Sequence, residues 1–188
     1  MSVLTKQAIF ASFLKFLQEK PLDKITVKDI VDDCGINRKT FYYYFSDIYA
    51  MAEEMFRAKL DGLQKEFPPG EYSWNDFIEK ASAYMYDNKK ITLHVFRSIG
   101  YEKMNDLIFE ISREYILPFI EKTADGLSVS ECDMKLIAGY ACITISGVIT
   151  RWLSGGMKTV PKELVDRFSK ILDGTLRLSL ENAANLNK

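Results

Sequence analysis

The run from Thr26 to Phe45 restricts what this chain can fold into more than any other stretch. Thr26 is a good N-cap for a short helix whose inward face is Val27, Ile30, Val31 and Cys34, and Gly35 ends that helix. Asn37 can cap a second helix from Arg38 to Phe45. Two short helices joined by a glycine-containing turn have helix-turn-helix spacing. At ~100° per residue along the second helix, Phe41 and Phe45 share one face, Lys39 and Tyr43 project oppositely, and Thr40 and Tyr42 sit on the shoulders. One face packs while the other is able to read, because a major groove admits an α-helix. Arg38 and Lys39 can bond guanine acceptors, and Thr40, Tyr42, Tyr43 and Tyr44 offer hydroxyls and apolar surface to bases and phosphates. The competing reading makes Arg38 and Lys39 an ordinary solvated pair and packs the tyrosines against neighbouring helices, Tyr44 most readily.

The remainder also reads as helix. Ile9, Phe13, Phe16 and Leu17 give a first helix, about Thr5 to Glu19, its single apolar face. Pro21 and Asp23 make a turn, and Ser46 or Asp47 caps a fourth helix reaching roughly Glu66. Phe67-Pro68-Pro69-Gly70 forms the clearest break. Further helices are predicted at about Ser73 to Asn88, Lys90 to Ser98, Tyr101 to Thr123 with a kink at Pro118, Ser130 to Ser154, and Pro161 to Leu180. Ile25-Thr26-Val27 is locally strand-like, but no alternating pattern is sustained. The class is all-α: a three-helix helix-turn-helix head over residues 1–48 and a helical body over residues 49–188.

Composition bounds the function. With 47% hydrophobic residues in 188, the chain can build a sizeable core, and its net charge of -1 excludes a uniformly basic nucleic-acid binder. Any nucleic-acid contact is local. Within residues 1–48, seven cations (Lys6, Lys15, Lys20, Lys24, Lys28, Arg38 and Lys39) face six carboxylates, so salt dependence would come from clustering. Cys34, Cys132 and Cys142 lack metal-ligand spacing and are expected as buried thiols in a reducing cytoplasm. No signal peptide is expected from Met-Ser-Val-Leu-Thr-Lys-Gln, and Leu136 to Ile149 falls short of the ~20 residues needed to span a bilayer, which favours a buried core helix.

The segment from Ile25-Thr26-Val27 to Met51, with Gly35-Ile36-Asn37 and Thr40-Phe41-Tyr42-Tyr43-Tyr44-Phe45 inside it, resembles the DNA-binding head of TetR-family regulators over about residues 5–55. The run Thr40 to Tyr44 followed by Asp47-Ile48-Tyr49, with Trp152 and Gly155-Gly156-Met157 later, looks most like the branch containing regulators of dihydroxyacetone kinase operons. The resemblance implies that Thr26 bonds a phosphate, that Tyr42 contacts the backbone beside the groove, and that Arg38, Lys39, Thr40 and Tyr43 face bases or flanking phosphates. One departure stands out: Ile48 occupies the position where the family commonly carries a lysine. Backbone N–H groups at that helix start, or Lys6 and Lys28, are the candidate substitutes.

The resemblance further implies an effector-binding, dimerising body. A slim penultimate helix (Ala138, Gly139, Ala141, Ser146, Gly147) and a bulky last one (Leu164, Phe168, Ile171, Leu172, Leu176, Leu178) would form a four-helix bundle across a homodimer axis, or else a monomeric core. Tyr84, His94, Arg97, Tyr101, Tyr115 and Trp152 are the expected small-molecule pocket, although the same residues suit any helical core and rim. The expected partners are a double-stranded DNA operator, a second copy of the chain and an unidentified effector, with no membrane and no cofactor. A separate reading is an adaptor or coactivator that docks another effector-sensing protein. No hydrolase, phosphate-loop, dinucleotide or metal motif points to an enzyme, and His94, the sole histidine, has no second histidine to share a metal.

Overall fold

The computed structural model describes residues 3–67, 74–172 and 174–186. Among these it shows ten α-helices and no strand: α1 (Val3–Glu19), α2 (Val27–Cys34), α3 (Arg38–Tyr44), α4 (Ile48–Lys65), α5 (Trp74–Asp87), α6 (Lys89–Ile99), α7 (Tyr101–Thr123), α8 (Glu131–Ser154), α9 (Pro161–Ile171) and α10 (Thr175–Leu186). A single 3-10 turn, Leu22–Lys24, joins α1 to α2. The expected break at Pro68-Pro69-Gly70 lies outside the described residues.

Two compact units emerge, and their border is not at residue 48. One unit comprises Met1–Phe67 with Asp87–Gly100, and the other Pro68–Tyr86 with Tyr101–Lys188. The head therefore contains α4 and, out of sequence order, α6. Its core joins Ile9, Phe13 and Leu17 of α1 to Ile30 and Val31 of α2, Phe41 and Phe45, and Ile48 and Met51 of α4. Ile91, Val95 and Ile99 of α6 pack against that core, which explains why α6 belongs with it. Polar contacts add to the seam: His94 Nδ1 lies 2.9 Å from the Leu17 carbonyl, and the Ser98 hydroxyl donates to Asp23 at 3.1 Å.

Helix ends follow from their capping residues. Asn37 Oδ1 accepts the Thr40 N–H at 2.8 Å, and Asp47, rather than Ser46, accepts the Ala50 N–H at 2.8 Å. Gly35 stops α2 in the left-handed region at φ 66°, a conformation that a side chain would disfavour, and so sets the turn between α2 and α3.

In the body unit α7 packs along α8, and α10 lies against α8. Helix α7 runs on through Pro118. The apolar periodicity that predicted one helix from Pro161 to Leu180 is broken in the structure. Leu172 leaves helical angles at φ -101° and Gly174 adopts φ 73°, so α9 and α10 are separate helices, with the Thr175 N–H closing onto the Leu172 carbonyl at 3.0 Å. The cysteines also differ from expectation. Cys142 is buried, Cys34 is half-buried, and Cys132 is exposed in the first turn of α8.

Candidate nucleic-acid interface

Pairing within the head decides which cations remain for an anionic partner. Lys6 pairs with Glu54, Lys15 with Asp33, Lys20 with Asp29 at 2.9 Å, and Lys24 with Asp23 at 3.5 Å. Lys28, Arg38 and Lys39 are exposed and have no ion pair among the described residues. Within residues 1–48, where charge is nearly balanced, the cations left without an ion pair thus lie on α2 and α3, where groove contact is expected. Lys6 already has a carboxylate partner, whereas Lys28 has no ion pair among the described residues.

The aromatic run divides by face. Phe41 is fully buried, with Phe45 packed beside it at a ring-centroid distance of 5.6 Å. On the opposite side Tyr42 and Tyr43 are 56% and 72% exposed. Tyr44 does not join them: its ring packs against the head core, and its hydroxyl is buried without a hydrogen-bond partner. A phenol so enclosed cannot bond to DNA, so Tyr44 is corrected from a contact residue to a packing residue. Tyr49, which the sequence reading did not single out, is 48% exposed in the first turn of α4.

The threonines are partly committed. Thr26 forms a capping box: its hydroxyl accepts the Asp29 N–H at 3.2 Å and donates to the Asp29 carboxylate at 3.0 Å, while its own N–H donates to the same carboxylate at 2.8 Å. Thr40 is half-buried and donates its hydroxyl proton to Asn37 at 3.1 Å. With that proton engaged, Thr40 Oγ1 retains acceptor capacity, which suits the exocyclic amines of adenine or cytosine better than a phosphate oxygen.

The Lys20 ammonium, followed by the Thr26 N–H, holds the Asp29 carboxyl down to about 2. Its folded value lies below the unfolded one near ~3.9. The stability it contributes is therefore fully present above the unfolded value and is lost as pH falls towards about 2. Asp29→Asn is expected to destabilise the head at neutral pH and to flatten its loss of stability between about pH 4 and pH 2. Acid titration followed by near-UV circular dichroism checks this, and an unchanged acid limb would refute the assignment.

Ile48 explains its own departure from the lysine pattern. It is only 8% exposed and belongs to the head core. At that helix start the Asp47 carboxylate accepts the Ala50 N–H.

Of the six residues expected as a small-molecule pocket, two lie in one unit and four in the other. His94 and Arg97 lie on α6 in the head unit, the first bonded to Leu17 and the second exposed. Tyr84, Tyr101, Tyr115 and Trp152 lie in the body unit. Tyr101 is exposed, and Tyr115 stacks on Phe77 at 5.0 Å. The Trp152 indole N–H donates to the Thr159 carbonyl at 2.9 Å, tying down the turn after α8. Instead the body holds a cavity of about 300 Å³ walled by α5, α7, α8, α9 and α10, and none of the six lines it. Trp74, Ile78, Ile116, Val148, Phe168 and Leu176 are among its walls. Sequence reasoning placed Phe168 and Leu176 on one continuous helix and so missed the corner they share. The Asp173-Gly174 dipeptide was the available signal.

Outward from α8 run Leu136 and Ile143, 71% and 64% exposed, with Tyr140 between them at helical spacing. Leu178 of α10 is also exposed, and the Tyr140 hydroxyl lies 3.2 Å from Ser179 Oγ. Facing the other way, Ile137, Cys142, Ile149 and Leu153 are buried, so α8 is a core helix of the body.

Comparison with known proteins agrees with this architecture. Residues 6–55 match the family described as bacterial regulatory proteins, tetR family, and residues 72–174 match the family described as transcriptional regulator C-terminal region. A relative from Bacillus subtilis (strain 168), described as an uncharacterized HTH-type transcriptional regulator YxbF, is 26% identical over 179 residues. That match covers 91% of this chain and 45% of the relative, so the chain spans about half the relative's length. Among solved structures, the dihydroxyacetone kinase operon activator DhaS superposes with a TM-score of 0.65 at 18% identity, covering 94% of this chain and 98% of that one. A tetR-family transcriptional regulator from Streptomyces coelicolor gives 0.55 at 14% identity, covering 97% and 90%. At these identities the two structures establish a shared fold. The exposed aromatic and cationic face of α3, the all-helical body and the matches over both parts lead to one assignment: the chain belongs to the TetR family of transcriptional regulators.

Proposed function

We propose that the protein is a ligand-responsive repressor that binds a palindromic operator as a homodimer. The observation that carries the DNA contact is the cluster of Lys28, Arg38 and Lys39, left without ion pairs beside the exposed Tyr42 and Tyr43. Lys28, Arg38 and Lys39 contact phosphates or guanine edges, Tyr42 and Tyr43 contact backbone and base, and Thr40 accepts from a base amine. Thr26 orders the start of α2, and the backbone there approaches a phosphate.

Homodimerisation is supported by the apolar stripe Leu136, Tyr140 and Ile143 with Leu178 beside it, since a patch of this kind calls for a partner surface. Two copies related by a two-fold axis impose a palindrome on the site. The effector acts by population shift, preferring a body conformation incompatible with the operator half-site spacing. The place of action is the cytoplasm, where the operator lies.

Footprinting on genomic fragments is expected to reveal a palindromic site, and failure to bind any DNA at low salt overturns the proposal. Tyr43→Ala or Lys39→Ala is expected to weaken specific binding by about 1–3 kcal/mol without changing thermal stability. An unchanged affinity would remove these residues from the groove face.

A second reading, an adaptor that docks a separate effector-sensing protein, draws on the fact that none of Tyr84, His94, Arg97, Tyr101, Tyr115 and Trp152 lines the body cavity. The body cavity favours the ligand-responsive reading.

A further inference from the structure

We infer that Asn37 and Thr40 act together as an adenine-reading pair in the major groove, the Asn37 amide donating to adenine N7 and the Thr40 hydroxyl oxygen accepting from the adenine N6 amine. The inference rests on the operator-binding reading above and names a base that each half-site must carry. It makes Asn37, the N-cap of α3, a reading residue in its own right.

One shared oxygen fixes the pattern. Asn37 Oδ1 accepts the Thr40 N–H at 2.8 Å and the Thr40 hydroxyl proton at 3.1 Å. A backbone N–H needs an acceptor, so the carboxamide has a single orientation and Nδ2 is the arm left over. Asn37 is exposed, and its Nδ2 has no partner among the described residues. Thr40 Oγ1, with its proton spent on Oδ1, offers lone pairs alone. A fixed donor and a fixed acceptor are thus tied to the same oxygen, at the end of the reading helix whose residues meet base edges in helix-turn-helix complexes. Side chains alone make this pair, because the Thr40 backbone N–H is already bonded to Asn37.

Adenine is the base whose major-groove edge sets an acceptor, N7, beside a donor, the N6 amine. Guanine presents N7 and O6, both acceptors, and O6 would meet the Thr40 lone pairs. Cytosine offers an amine and thymine a carbonyl with a methyl group, so each leaves half of the pair unsatisfied. The neighbouring side chains do not supply the same pattern. Arg38 and Lys39 only donate, and the exposed Tyr42 and Tyr43 hydroxyls rotate between donor and acceptor.

Selection of a randomised DNA duplex by the full-length protein at low salt, followed by base-analogue binding, tests this. A palindrome with one strongly preferred adenine in each half-site is expected. In the selected duplex, replacing that adenine by 7-deazaadenine, which lacks N7, or by unsubstituted purine, which lacks the N6 amine, should each weaken binding about tenfold. Asn37→Ser keeps an N-cap oxygen but has no amide protons, so it should bind the adenine and 7-deazaadenine duplexes equally. Thr40→Val should be indifferent to loss of the N6 amine, and Thr40→Ser should restore the response of the natural sequence.

If the unsubstituted protein binds both analogue duplexes as tightly as the parent, the pair is overturned without any variant having to fold. Variants that lose affinity uniformly over all base changes would assign both side chains to phosphate and overturn it as well. A selected palindrome without that adenine would overturn the pair and leave the operator-binding reading standing. Selection of no sequence at all would overturn both.

Discussion

Phe41→Ala is expected to cost the head about 3–5 kcal/mol, a large share of the stability of a small domain. Phe41 is fully buried in the core that α1, α2 and α4 also supply, and its ring closes on Phe45 while Phe45 closes on Phe10. Removing the ring takes away apolar contact from several helices at once and leaves a cavity that helical backbones cannot collapse around. The loss also falls on the seven-residue helix that carries Lys39 and Tyr43, which is too short to persist without its tertiary anchor. Urea unfolding followed by tyrosine absorbance should show the head transition at lower denaturant, with operator binding lost in parallel. A loss below about 1 kcal/mol would mean that the head is not built around this ring.

The second large effect is expected from Ile143→Asp. Ile143 is 64% exposed on α8, so a carboxylate there should leave the protomer's fold and helicity intact. Across a symmetric interface the same substitution appears twice, placing two like charges in an apolar contact. Sedimentation should report a monomer. Operator affinity should fall on the order of a hundred- to ten-thousand-fold, because the second head no longer binds from an effective concentration set by the first. A dimer that survives this change would place the subunit contact elsewhere.

Much of the head was legible in the sequence because its signals are short-range. N-caps act within three residues, Gly35 acts on its own backbone, and one buried face is apparent from the spacing of Phe41 and Phe45. What the sequence could not show was pairing across distance. The commitment of Lys6 to Glu54 spans 48 positions, and local charge counts cannot reveal which cations are thereby excluded. Tyr44 was ambiguous for a related reason: on a seven-residue helix its face is a shoulder, and the neighbouring helices decide whether a shoulder is covered. In the body the apolar period continued through Asp173-Gly174, so a corner was read as a straight helix. Cavities are spaces between elements, and none of the six pocket candidates, chosen for aromatic or polar character, lines the body cavity.

The membership of α6 in the head has a consequence for exchanging parts between regulators. The chain leaves the head after Phe67, returns for Asp87–Gly100 and leaves again, so the head is a composite of two segments. A chimera that grafts residues 1–67 onto a foreign body would carry an uncovered patch where Ile91, Val95 and Ile99 belong, and would inherit whatever α6 that body supplies. Transplantable specificity in this protein therefore comes in two pieces, and the exchange that moves it must switch at three points, after 67, before 87 and after 100, or carry the intervening α5 along.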